Sequence, residues 1–346
     1  LATSRASRQV YADLLARHGR LVADAFFKAL DELRAGAELQ RVMAAIESRD
    51  IDGALEALHI DPEIYNDVLD RIRDAQAEAG KATATGMPSR KPDGTALVVR
   101  FDARNLEAER RLAEYSGRLI SRLVENDRAV VRASLSASMA EGVNPRTAGL
   151  RIVGRINRAT GRREGGVLGL STVQEQYVAS ARDELSGGDR TALKNYFTRE
   201  RRDRRFDRTI TKAIREGKPV PAETIQKAIT AYERRLIQLR GEIVGRVETM
   251  TAIQSAKREA FRQAIDSGKV NEADVRKAWR SAGDGRVRHS HMAMNGDSAQ
   301  FNEPFVSPSG ARLQFPMDIS LGAGPSEIIG CRCDCEYRID FLANLR

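Results

Sequence analysis

The sequence predicts a mainly α protein, with long helices in its N-terminal and central regions and a small loop-rich α+β C-terminal module. Three observations carry this. Of the 346 residues, 41% are hydrophobic but only 5% aromatic, and 30% are charged, a balance rich in Ala, Leu, Arg and Glu that suits helices. Apolar residues recur at helical spacing as far as Gly268. After Trp279, Gly, Pro, Asn and Asp interrupt short apolar pieces, the punctuation of loops and small strands. The length exceeds what one hydrophobic core usually organises, and three regions are expected: 1–90 helical, 91–240 helical with basic segments, and 241–346 as the C-terminal module.

Taken in order, Val22, Phe26, Leu30 and Leu33 mark one buried face of a first helix. The small, polar stretch at residues 79–96 has the composition of a linker. "ALVVRFD" reads as a short strand, and Leu112, Tyr115, Leu119, Leu123, Val131, Leu135 and Met139 define a long helix that Gly142 and Pro145 end. "GRINRATGRREGGVLGL" then combines arginines, Arg162 and Arg163 among them, with a glycine cluster, and reads as a mobile basic loop. It lacks the Lys-Ser/Thr ending of a phosphate-cradling loop.

Ile225, Ile229, Tyr232, Leu236, Leu239 and Ile243 form a heptad seam, expected to pack within the chain. Asn271 and Asp274 suggest the start of a short helix ending near Trp279.

Lys and Arg outnumber Asp and Glu by 57 to 48, a net charge of +9, so an anionic partner is plausible on charge grounds. No run of eighteen apolar residues marks a membrane span. The densest charge run, residues 198–218, holds nine Lys/Arg against four Asp/Glu. Its acids alternate with its bases, as on a solvated helix face. The competing reading is a surface for phosphate or portal contact, using Arg201, Arg202, Arg204 and Arg205 together with Arg162 and Arg163.

All three cysteines, Cys331, Cys333 and Cys335, fall within five positions, and two of the four histidines, His289 and His291, lie upstream in the same module. Zinc needs four donors in a tetrahedron. His291, Cys331 and Cys333 are natural donors, with Cys335, His289 or Asp284 as the fourth. In a straight strand, side chains two residues apart sit nearly 7 Å from each other, so the segment has to bend, and Gly330 permits that. Thiols without metal remain an equal alternative, and a Cys331–Cys333 disulfide would close a small strained ring. No hydrolase elbow, H-E-x-x-H helix or deaminase signature is present. The expectation is therefore a protein that is not an enzyme, the rival being a metal-dependent enzyme or toxin using His291, Asp284 and Glu248.

The ordered residues Trp279, Asp284, Arg286, Arg288, His291 and Gly296, then Phe305, Pro308, Gly310, Pro316 and Asp318, then Glu327, Cys331, Arg332 and Cys333 resemble the signature of the Mu F-like minor head proteins of tailed phages. The resemblance covers roughly residues 240–340. Asn295, Gly330 and His289 depart from the family's usual residues, and Cys335 is an addition to its C-R-C core. Membership implies a minor capsid protein at the portal or inner head surface, made in the host cytoplasm and acting in procapsid assembly and DNA packaging or delivery. The implied partners are the portal, the major capsid or scaffold proteins, and DNA through non-specific phosphate contacts, with no membrane. The alternative is an internal DNA-binding protein ejected with the genome.

Overall fold

The computed structural model describes residues 5–341 apart from Gly188. Helices dominate it: α1 (Arg5–Gly36), α2 (Leu39–Glu47), α3 (Ile51–Glu56), α4 (Asn66–Thr85), α5 (Leu106–Ala140) and α6 (Pro145–Val153) precede a hairpin of β1 (Arg155–Ile156) and β2 (Arg163–Glu164). Then follow α7 (Thr172–Ser186), α8 (Arg190–Tyr196), α9 (Asp207–Glu216) and the longest helix, α10 (Ala222–Asp266). The remainder alternates short elements: β3 (Val275–Arg280), α11 (His289–Ala293), β4 (Ser298–Gln300), β5 (Phe305–Val306), β6 (Arg312–Leu313), α12 (Pro325–Ile328) and β7 (Asp334–Ile339). The protein is mainly α with a small α+β C-terminal part, as its composition predicts.

The chain forms two compact units. Unit 1 comprises Leu1–Ala25, Val68–Ser116 and Glu242–Arg346, and unit 2 comprises Phe26–Asp67 and Gly117–Gly241.

In unit 1, β3 is the central strand of an antiparallel sheet ordered β4-β3-β7. Its Val275, Lys277 and Trp279 alternate inward. Val275 and Trp279 join a core of Phe301, Phe305, Phe315, Met294, Met317 and Tyr337. The module borrows further apolar surface from Ala260, Phe261 and Ala264 of α10 and from Met87 and Leu97. Sequence reading expects a short helix here, but Asn271 caps only a single 3-10 turn, and alternating burial then makes the segment a strand.

Two further expectations are corrected in unit 1. The stretch from residue 79 is no linker at its start: α4 continues to Thr85 with Ala79, Gly80, Thr83 and Ala84 buried, its small side chains serving close packing. "ALVVRFD" forms no regular strand and pairs only through the isolated Arg90–Ala96 bridge. Its alternate residues Leu97, Val99 and Phe101 pack on the core without a neighbouring strand.

In unit 2, Phe26, Leu30 and Leu33 of α1 are almost fully buried, as their spacing predicts. Tyr65 and Arg240 both bond the buried Asp127 carboxylate. The glycine-rich segment is not a mobile loop. Arg155–Ile156 pair with Arg163–Glu164, and residues 165–170 are buried. The Gly166 N–H donates to Glu233 Oε2 at 2.8 Å. A Cβ at Gly166, whose φ is +80°, would lie 2.5 Å from the Gly154 nitrogen and the Ile152 carbonyl oxygen, so the glycine is there for close backbone packing.

Candidate metal centre

Three short elements of unit 1 bring the candidate donors together. After β3, the Asp284 carboxylate accepts the Arg286 N–H at 3.0 Å, and the turn leads into α11. On that helix, residues two apart point to nearly opposite sides. His291 is therefore buried, and His289 is exposed. Pro325 starts α12, which carries Glu327 inward. Gly330, with φ +73°, then turns the chain toward Cys331. Cys331 and Cys333 precede the regular part of β7, so the strand geometry that would hold them apart has not begun.

His291 Nδ1 lies 3.4 Å from Cys331 Sγ and 3.6 Å from Cys333 Sγ. All three donor atoms fall within 4.8 Å of one another, and all three residues are buried. Behind the ring, His291 Nε2 is 2.6 Å from Glu327 Oε2, whose other oxygen accepts from Ser309 Oγ at 2.6 Å. The Trp279 indole meets the imidazole edge to face at 5.1 Å.

Charge follows this geometry. Burial pushes the Glu327 carboxyl up, but the Ser309 and His291 hydrogen bonds outweigh it and hold the group below its usual range. Burial likewise pushes His291 down, and Cys333 and Glu327 outweigh it, raising the imidazole. The Cys331 thiol donates to the neighbouring sulfur and, with His291, draws Cys333 down to about 5 against burial. Cys331 is correspondingly raised. Such a cluster favours one thiolate facing an imidazole, which is chemistry for holding either a proton or a soft cation.

The other expected ligands stand apart from the three-donor group. Cys335 is buried on β7 opposite Trp279, and its N–H donates to Gln254 Oε1 at 3.2 Å. Burial pushes its thiol up to about 11. The Asp284 carboxylate is bonded by both terminal nitrogens of Arg332. Those bonds, with the Arg286 N–H, hold it at about 2. Glu248 is buried on α10, where it accepts from Tyr115. Among the described residues, only His291, Cys331 and Cys333 form a group of three possible ligands.

Glu327 and Ser309 complete the site without having been singled out for a role. Glu327 stands 36 residues from His291, so no local spacing links them. Glu327 stands among the ordered motif residues without a role attached to it, and its place just after Gly324-Pro325, where a helix start turns it inward, is the local signal; Ser309 carries none.

In unit 2, the arginine run is largely paired with local acids. Arg199 bonds Glu184 through two nitrogens, at 2.7 and 2.9 Å. Arg202 bonds Asp207 at 3.1 and 3.0 Å. Arg205 bonds Asp203, with a closest approach of 2.6 Å. Arg201 and Arg204 are exposed. Arg162 is exposed and lies 3.4 Å from Asp31, and Arg163 donates to the Gly154 carbonyl at 3.2 Å.

Comparison with curated proteins and with solved structures gives no match. Comparison with protein families does: residues 204–336 match the family described as Phage Mu protein F like protein. The matched segment runs from the arginine-rich turn before α9 through α10 and ends inside β7, so it contains every residue of the His/Cys cluster. It is through residues 204–336 that the chain is similar to the phage Mu protein F-like family.

Proposed function

We propose that the chain is a minor head protein of a tailed phage, bound at the portal or inner head surface and acting in procapsid assembly and in DNA packaging or delivery. The observation that carries this reading is the match of residues 204–336 to the Mu protein F-like family, a family of phage head morphogenesis. The role is structural rather than catalytic. The long helices offer extended surfaces for docking on portal, capsid or scaffold proteins. Among the described residues, no helix is long and apolar enough to cross a membrane.

A net charge of +9 supports additional non-specific contact with DNA. Because Arg199, Arg202 and Arg205 already face carboxylates, Arg201 and Arg204 are the members of the run best placed for phosphate. This favours docking on protein as the main role, with DNA contact auxiliary.

The test is co-sedimentation of the full chain with procapsids assembled with and without portal, alongside a DNA-binding titration over salt concentration. Retention on portal-containing procapsids, with weak and salt-sensitive DNA binding, is the expected result. Strong DNA affinity without any procapsid or portal association would overturn the reading in favour of an internal protein ejected with the genome.

A further inference from the structure

We propose that His291 Nδ1, Cys331 Sγ and Cys333 Sγ bind one zinc ion, with Glu327 orienting the histidine from behind and solvent taking the fourth corner. The separations fit the ion. Zinc lies about 2.0–2.1 Å from nitrogen and about 2.3 Å from sulfur, so adjacent corners of its tetrahedron stand about 3.6 Å apart for N and S and about 3.8 Å for two sulfurs. The observed Nδ1–Sγ distances are 3.4 and 3.6 Å, and all three donors lie within 4.8 Å of one another.

The tautomer fits as well. The Glu327 carboxylate oxygen, 2.6 Å from Nε2, is placed to accept an N–H from that nitrogen, while Nδ1 is the ring atom that faces the two sulfurs. A carboxylate behind a histidine ligand is the usual means of fixing its ring and raising its basicity. The donors also span what the module most needs to hold: α11 is joined to the segment between α12 and β7 across 40 residues of sequence. The proposal is independent of the head-protein reading, because it rests on donor geometry alone.

The experiment uses the reduced full chain, freed of metal by a chelator and titrated with cobalt(II), then back-titrated with zinc. One cobalt per chain, with a sulfur-to-cobalt charge-transfer band that zinc abolishes, is expected. Cys335→Ser should leave the band unchanged, whereas His291→Ala should weaken binding at least tenfold and the double variant Cys331→Ser/Cys333→Ser should lose the band. Circular dichroism of each variant identifies any that fail to fold, and the wild-type titration stands without them. A folded wild-type chain that takes up no cobalt or zinc overturns the proposal, and so does a Cys331→Ser/Cys333→Ser chain that binds as tightly as wild type.

Discussion

Glu327 Oε2 sits 2.6 Å from His291 Nε2, while the opposite nitrogen of the same ring faces two cysteine sulfurs. In a neutral ring, the carboxylate favours the tautomer with the proton on the nitrogen that faces it. Glu327→Gln keeps the shape of the side chain but removes the negative charge that favours the proton on Nε2. We expect the zinc affinity of the full chain to fall roughly ten- to a hundredfold, read by competition with a chromophoric chelator. An unchanged affinity would reduce Glu327 to a packing residue.

The convergence of His291, Cys331 and Cys333 was legible from chemistry and from the order of the motif residues, but the separation of Cys335 from them was not. Cys335 follows Cys333 by the same interval that separates Cys333 from Cys331. The difference is that β7 has begun by Cys335, and pairing with β3 holds that residue in extended geometry. A bend in one interval and a strand in the next cannot be read from spacing alone. The helical face of α1 was legible because its apolar residues are large. The α10 seam was only partly so: Ile229, Tyr232 and Leu236 are buried, but Ile243 is 40% exposed, while Ala228, Glu233 and Arg240 are buried beside the seam. Alanines and paired charges carry no hydrophobic period, so that pattern misses them.

Buried Glu233 joins two features that the sequence leaves unconnected. One oxygen accepts the Gly166 N–H at 2.8 Å and the other faces Arg182 at 3.4 Å. Glu233→Ala would strand both a buried backbone donor and a guanidinium, and we expect a loss of about 3 kcal/mol, seen as a lower urea midpoint. Glu233→Gln, which still accepts from Gly166, should lose less. Equal losses would show that the backbone bond contributes nothing separable.

Trp279 is the chain's single tryptophan and is fully buried between His291 and Phe305. Truncation to Ala should cost about 3–5 kcal/mol, measured by chemical denaturation followed by circular dichroism. A loss below about 1 kcal/mol, the scale of an ordinary surface change, would mean that the module's core does not depend on the indole.

Lys277 gives a pH dependence with a definite sign. Its ammonium is buried at the centre of β3, bonded to the Gln314 carbonyl at 2.9 Å and side-chain oxygen at 2.8 Å, with its charge 5.0 Å from the centre of the Phe305 ring. Burial, aided by repulsion from Arg258, lowers it from the ordinary 10.5 to about 8. Between those two values the unfolded chain binds the proton more tightly than the folded one, so this group makes stability rise with pH across that window. Below about 8 both states are protonated and the penalty is present in full; above 10.5 both are neutral and it is gone. Lys277→Met cannot titrate. The melting temperature of the wild-type chain should therefore climb relative to the variant from pH 8 to 10.5, with a constant difference below that range. Parallel curves throughout would mean that the Gln314 oxygens and the Phe305 ring compensate the buried charge completely.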